Sequence, residues 1–228
     1  FFELSGDVSG EISGLVALIK AQQPQALQDA KLPVDLAALT GDMSLSVVLT
    51  TTLDKATGTP KKTDYVVNGV LQDFGSSEPL QGHSIGNGQL SFLVSQASYR
   101  LTGQADVDGI PANILVDGVI SENAPAPNIE LSAEVDVADF KNFGFDASDF
   151  LSGRLRFAAR PLADGSIQLA VDLKNAGVAI KDLGLNKAVG VAGSAQATIK
   201  QTGDLAEVSG VKLGFGDVAL EGDVSFDV

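Results

Sequence analysis

The chain has 228 residues with 15 basic and 29 acidic side chains, a formal charge of −14 that argues against nucleic acid and anionic lipid head groups as partners. With 44% hydrophobic residues it is predicted to fold, as one large β domain or two small ones. It has no cysteine, which excludes disulfides and cysteine-ligated metals, and no apolar stretch long enough to span a bilayer. Because it begins at Phe1 and has a single methionine, we expect an excised segment of a longer protein.

The start of the chain is predicted to hold one strand and two short helices. Alternating side chains predict a strand over Phe2–Val8. The apolar residues then fall at helical spacing from Ile12 to Ile19, and Pro24 is predicted to open a second helix. Helix is therefore expected mainly within residues 11–31.

From residue 41 onward, apolar and polar side chains alternate with a period of two, which predicts strands with one apolar and one polar face. The first six of these strands are Gly41–Leu53, Tyr65–Gln72, Gln89–Ser95, Ser98–Asp108, Ala112–Ile120 and Ile129–Val137. The proline-containing stretch 123–128 is a possible soft joint, and a single helical turn is predicted at Ala138–Gly144.

The alternation is clearest in the last third of the chain, where strands are predicted around Leu155–Ala159, Ile167–Leu173, Ala195–Ile199 and Val218–Phe226. Turn-forming residues at 161–165, 201–204 and 214–217 predict hairpins between strands. The predicted fold is mainly β, a long antiparallel meander of about eleven or twelve strands. We treat residues 1–228 as one segment of it.

Few residues suggest chemistry. The one histidine, His83, lies in a turn-like stretch and is interpreted as a bystander. Asp106–Gly109 resembles the opening of a calcium loop but lacks its later ligands, so a hairpin turn is favoured. The glycine pair at Gly86–Gly88 is interpreted as a turn. No catalytic residue, metal site or cofactor is predicted, and an enzyme is the least favoured class.

The apolar face of the sheet is then the expected working surface. Two alternatives remain open: the closed core of a β-sandwich, or an open trough curled around a guest. Small residues on the apolar parity favour the trough, because they leave room where a packed core would use larger side chains. They are Gly103, Ala105, Ala133, Ala159, Ala195 and Ala197.

Several glycine-and-hydrophobe patterns support a family resemblance. They are Phe2–Gly14, the Leu101–Val116 hairpin, Val137–Gly144, Leu151–Gly153, Asp172–Ala176, Leu183–Lys187 and Gly193. In these patterns the chain resembles the AsmA-like proteins of Gram-negative bacteria, and within them the YhdP-type branch of alphaproteobacteria. The resemblance spans most of the chain.

The resemblance implies a periplasmic protein anchored in the inner membrane, whose repeated β-groove units carry phospholipids toward the outer membrane. The implied partners are phospholipid acyl chains and neighbouring β-groove segments of the same chain, with membrane contact only through parts outside this sequence. The family offers no catalytic residue to carry over.

What the resemblance transfers is the role of the inward-facing apolar positions, assigned here by strand parity. These positions are Leu101, Val107, Ile114, Val116, Leu131, Val135, Leu155, Phe157, Ile167, Leu169, Val171, Ile199, Leu213, Leu220 and Phe226. The alternative function is a structural or interaction β-sandwich module of a long envelope or surface protein.

Overall fold

A computed structural model describes residues 2–22, 36–79, 83–121, 123–143, 146–162, 164–181, 184–202 and 205–227. The chain is mainly β, and each strand of its meander runs antiparallel to the strands it pairs with, which confirms the predicted fold class. It divides into two units, Phe1–Asn128 and Ile129–Val228, at the end of the predicted joint.

The first unit contains six strands that pair in chain order. They are β1 (Phe2–Glu11), β2 (Leu39–Leu53), β3 (Pro60–Ser76), β4 (Ile85–Ser95), β5 (Ser98–Val107) and β6 (Ile110–Val119). Helix α1 (Ile12–Gln22) follows β1 as predicted and packs against β1, β2 and a 3₁₀ turn at Leu36–Ala38. The second helix predicted from Pro24 lies outside the described residues.

The turn predicted at Gly86–Gly88 is wrong, because these residues lie inside β4. The pairing with β5 passes from Gly86 opposite Asp106 to Gln89 opposite Gln104, so β4 carries one extra residue there. Asn87 takes the left-handed conformation with φ 51°, and its side-chain amide donates a 2.6 Å hydrogen bond to Asp106. An asparagine and two glycines therefore form a β-bulge here rather than a chain reversal.

The turn predicted at Asp108–Gly109 is confirmed. Both residues have positive φ, at 51° and 78°, and Val107 pairs with Ile110 on either side of them. Two central residues with positive φ define the type I′ turn, whose twist suits a two-residue hairpin.

The second unit builds its main sheet in the order β7-β8-β9-β12-β13-β14. The ranges are β7 (Asn128–Asp136), β8 (Leu151–Pro161), β9 (Ile167–Asp172), β12 (Gly193–Thr202), β13 (Leu205–Phe215) and β14 (Val218–Asp227). Two short strands outside this order, β10 (Ala176–Ile180) and β11 (Leu185–Lys187), bring the described strands to fourteen, above the predicted count. They are too short for the alternation to reveal.

The polar face of the second unit carries cross-strand ion pairs. Glu134 on β7 accepts from Arg154 at 3.1 Å and Arg156 at 3.2 Å on β8, and Glu130 pairs with Arg160 at 3.3 Å. All three arginines are at least half exposed, so each pair contributes little to stability. They do identify this face as the solvated one.

Candidate functional site

The apolar face of the second unit is continuous across its main sheet, because directly opposed residues of paired strands point to the same side. The pairing registers place one residue of each strand in a single transverse row. In strand order this row is Ala133, Phe157, Val171, Ala195, Leu213 and Leu220. A second row runs parallel to it through Leu131, Ala159, Leu169 and Ala197.

A bulge in β13 keeps the apolar face in phase beyond these rows. The strand advances three residues between Val208 and Val211 where β14 advances two, and three between Ser209 and Lys212 where β12 advances two. Gly210 provides the positive φ of 60° that this bulge requires, and its N–H donates a 2.7 Å hydrogen bond to Asp223. Val208 therefore stays on the same face as Ile199, which it opposes.

One end of this face is covered by three segments that follow the main strands. They are the 3₁₀ turn at Val137–Phe143, residues 146–150, and β10, which pairs with the first residues of β8. Together they bury the hydrophobic core of the unit. Its buried members are Val137, Ala147, Leu155, Leu173, Ala176 and Val178.

Between this cover and the main sheet lies a pocket of about 490 Å³. Every described residue that lines it is apolar. The sheet contributes Leu151, Leu155, Phe157, Leu169, Val171, Ala195 and Leu213, the residue after β9 contributes Leu173, and the cover contributes Phe140, Phe150, Val178 and Ile180. A volume of this size is in the range of small-molecule sites, but the lining offers no polar group to orient a polar ligand or to catalyse a reaction.

The pocket is sealed at one end and open at the other. The exposed fraction rises from 4% at Leu173, which follows β9 under the cover, to 43% at Ile167, the first residue of that strand. Leu169 and Val171, between them, are half-buried. Exposure also rises across the sheet, from 3% at Val135 on β7 to 37% at Leu220 on β14. An apolar guest can therefore enter from the open side and end against the covered core.

A buried lysine holds the cover in place. The Lys187 side chain on β11 is 97% enclosed, and its ammonium donates to the carbonyls of Leu173 at 2.5 Å and Ala176 at 2.6 Å. Burial lowers the pKa of this ammonium, while the nearby Asp172 carboxylate raises it. Because Lys187 ties β11 to the loop between β9 and β10, its role is structural.

The structure brings five of the predicted site residues into the pocket: Leu155, Phe157, Leu169, Val171 and Leu213. Leu131, Val135, Ile167, Ile199 and Leu220 lie on the same face outside it. None of Phe157, Leu169 and Ile199 is fully buried. Phe226 pairs with Ala206 at the backbone, and its side chain lies outside the described residues.

Leu101, Val107, Ile114 and Val116 belong to the first unit, where they share one face of β5 and β6. All four are half-buried. A depression in this unit, of about 630 Å³, is lined partly by polar residues such as Asp7, Ser44 and Asn68. It is therefore less suited to an apolar guest than the pocket of the second unit.

Two of the small residues predicted to leave room for a guest have another explanation. A Cβ on Gly103 would lie 2.1 Å from the backbone oxygen of Gln89, so this glycine permits the close approach of β4. Ala105 is only 2% exposed and opposes the buried Ala112. Ala195, in contrast, lines the pocket as predicted for a residue that makes space.

Five residues that line the pocket were not predicted from the sequence. Phe140, Phe150, Leu151, Val178 and Ile180 lie in turns, at a strand start or in a strand of five residues. Strand parity assigns faces only within long alternating segments, so it carries no information about these positions. The only available signal was the cluster of aromatic residues between Phe140 and Phe150.

His83, Ser84 and Asp108 form a polar cluster in the first unit that lacks the geometry of a catalytic triad. His83 Nδ1 lies 2.8 Å from Asp108 Oδ2, and the Ser84 hydroxyl donates to the other oxygen of that carboxylate at 3.2 Å. The hydrogen bond from His83 is the main cause of the lowered pKa of Asp108. Because the serine contacts the carboxylate and not the imidazole, no nucleophile is activated. In the described residues, no group of potential metal ligands comes together.

No family model, curated protein or solved structure matches this chain. Within the part of the chain that the structure describes, no helix is long and apolar enough to cross a membrane.

Proposed function

We propose that this chain is a non-enzymatic lipid-binding segment of a periplasmic bridge. The bridge is anchored in the inner membrane and carries phospholipids toward the outer membrane. The observation that carries the binding part of the proposal is the pocket of the second unit, whose twelve lining residues are all apolar. The bridge, its periplasmic location and its direction rest on the resemblance to the AsmA-like proteins.

The pocket suits an acyl chain better than a polar or aromatic metabolite. Each methylene moved from water to an apolar surface gains about 0.8 kcal/mol, so ten methylenes gain about 8 kcal/mol. This is comparable to the estimated cost of immobilising a ligand, about 4 kcal/mol or more. An acyl chain is the ligand that obtains this gain without needing a hydrogen bond, and the lining provides none.

The open side of the pocket accounts for the head group and for movement. Ile167 and Leu220 mark the rim, where the apolar face becomes exposed. A head group at this rim stays in water while the chain is shielded, and its transfer along the sheet requires no chemical step. The transverse rows of apolar residues supply a surface on which the acyl chain of the lipid can slide between neighbouring segments of the protein.

The alternative function is a structural or interaction module of an envelope or surface protein. The specific observation in its favour is that Leu155, Leu173 and Val178 are buried members of the core that the sheet and the cover form together. In that case the neighbouring space is a packing defect of the core, and no lipid occupies it.

Lipid analysis of the purified chain separates the two functions. We expect phospholipid to be released by organic extraction and to appear as a mass increment in native mass spectrometry. Leu169→Glu, on the pocket wall, is expected to remove the lipid. Gln168→Glu changes the preceding residue, which is exposed on the opposite face of the strand. This matched control is expected to keep the bound lipid. Absence of lipid from the native chain, including after incubation with phospholipid vesicles, contradicts the proposal.

A further inference from the structure

β1 forms an open edge of the first unit. It pairs with β2 in unbroken register, from Phe2 opposite Thr51 to Glu11 opposite Asp42, and among the described residues no other strand pairs with it. Edge strands leave a row of backbone N–H and C=O groups free for another strand, and proteins usually protect them by lysine, proline, a bulge or short length. β1 is ten residues long and has no proline, lysine or bulge, so the charged side chains Glu3, Asp7 and Glu11 are the protection that it does carry.

The side chains of β1 favour an added strand that is apolar on one face. Phe2, Leu4 and Val8 alternate along the strand and therefore share a face, and they are 56%, 53% and 42% exposed. Large apolar side chains at this exposure gain free energy when a neighbouring strand covers them with side chains of its own.

The opposite face of β1 is acidic and uncompensated. Glu3, Asp7 and Glu11 share this face, and Glu11 lies directly opposite Asp42 on β2. Like charges directly opposite each other in a sheet are destabilising. Among the described residues, no lysine or arginine lies within ion-pair distance of Glu3 or Asp7. Cations on an added strand would relieve this repulsion.

We propose that the β1 edge binds an extended segment in which basic and apolar side chains alternate, added to the sheet as one more strand. The apolar side chains of this segment cover Phe2, Leu4 and Val8, and its basic side chains pair with Glu3, Asp7 and Glu11. A second copy of the chain is disfavoured at this edge, since β14 carries the exposed carboxylates of Glu221 and Asp223. The proposal concerns the first unit and stands independently of the lipid pocket.

Hydrogen exchange of the purified chain with synthetic peptides tests this inference. One nine-residue peptide alternates lysine with valine, a second alternates glutamate with valine, and a third scrambles the lysine peptide. We expect only the lysine peptide to slow amide exchange in β1, and to bind at least about fivefold tighter than the glutamate peptide at low salt. Equal protection by the scrambled peptide would show that net charge alone is recognised and would overturn the proposal.

Charge reversal on β1 provides the second arm. Glu3 and Asp7 are exposed, so the double variant Glu3→Lys, Asp7→Lys is expected to fold normally. We expect it to prefer the glutamate peptide over the lysine peptide. An unchanged preference contradicts the proposed pairing, and so does full protection of the β1 amides without peptide, because another part of the chain or a second copy would then cover this edge.

Discussion

The sharpest test of an open pocket compares two leucines that line it, Leu169 within β9 and Leu173 directly after that strand. Leu173, under the cover, is 4% exposed, whereas Leu169 is half-buried on the pocket wall. A glutamate at position 169 can stay hydrated through the open side, so its cost is close to the lost burial of half a leucine side chain, about 1 kcal/mol. A glutamate at position 173 is enclosed without a partner, and we expect it to cost more than about 4 kcal/mol.

The assay is thermal unfolding of both variants, followed by lipid analysis of whichever remains folded. A loss of about 1 kcal/mol lowers the melting temperature of a chain of this size by about 2–4 °C, whereas Leu173→Glu should not reach the native fold at all. We therefore expect Leu169→Glu to be folded and lipid-free. Equal and severe destabilisation by both substitutions would refute the open pocket, because it would place Leu169 in a closed core.

Three further predictions concern residues that stabilise the internal structure of one unit or the other. Lys187→Met removes the donor to two buried carbonyls and should lower stability by about 2–4 kcal/mol. Burial lowers the pKa of Lys187 in the native chain below its usual value of 10.5, so between these two pKa values the unfolded chain binds more protons than the native chain. Native stability should therefore rise with pH in that range, and the rise should be absent in Lys187→Met. Gly210→Ala, at φ 60°, should cost about 1 kcal/mol in denaturant unfolding, while Gly222→Ala, which meets open space, should be neutral. The hydrogen bond from His83 is the main cause of the lowered pKa of Asp108, so this carboxylate stabilises the native chain at pH values above its unfolded pKa of 3.8. The stabilisation is lost as the pH falls through the lower folded pKa. Because the carboxylate is 38% exposed, Asp108→Asn should cost less than about 1 kcal/mol and should flatten this acid dependence.

The long strands and their faces were predictable from the sequence because their side chains alternate. Leu169 and Val171 were assigned to the apolar face from parity, and the pairing registers place both on it. The Asp108–Gly109 hairpin was predictable for a similar reason, since its residues tolerate positive φ. In both cases the signal is local, within two to ten residues.

The bulge at Asn87 and the position of the cover over the pocket depend on tertiary contacts, so local alternation and turn residues did not predict them. Asn87 has turn chemistry, but Asp106 on the next strand holds it inside β4. Val178 faces the pocket because β10 pairs with the first residues of β8, and Val178 itself pairs with Leu151, which lies far earlier in the chain. The buried position of Lys187 likewise requires the loop carbonyls that surround its ammonium.

Photo-crosslinking with a phospholipid that carries a diazirine near the end of one acyl chain tests the central claim most directly. Mass spectrometry of the digested chain would locate the label. We expect it on residues that line the pocket, such as Leu169, Val171 and Leu213, and lost from them in Leu169→Glu. Label confined to the polar face, at residues such as Gln168 and Lys212, or no specific label at all, would contradict the account.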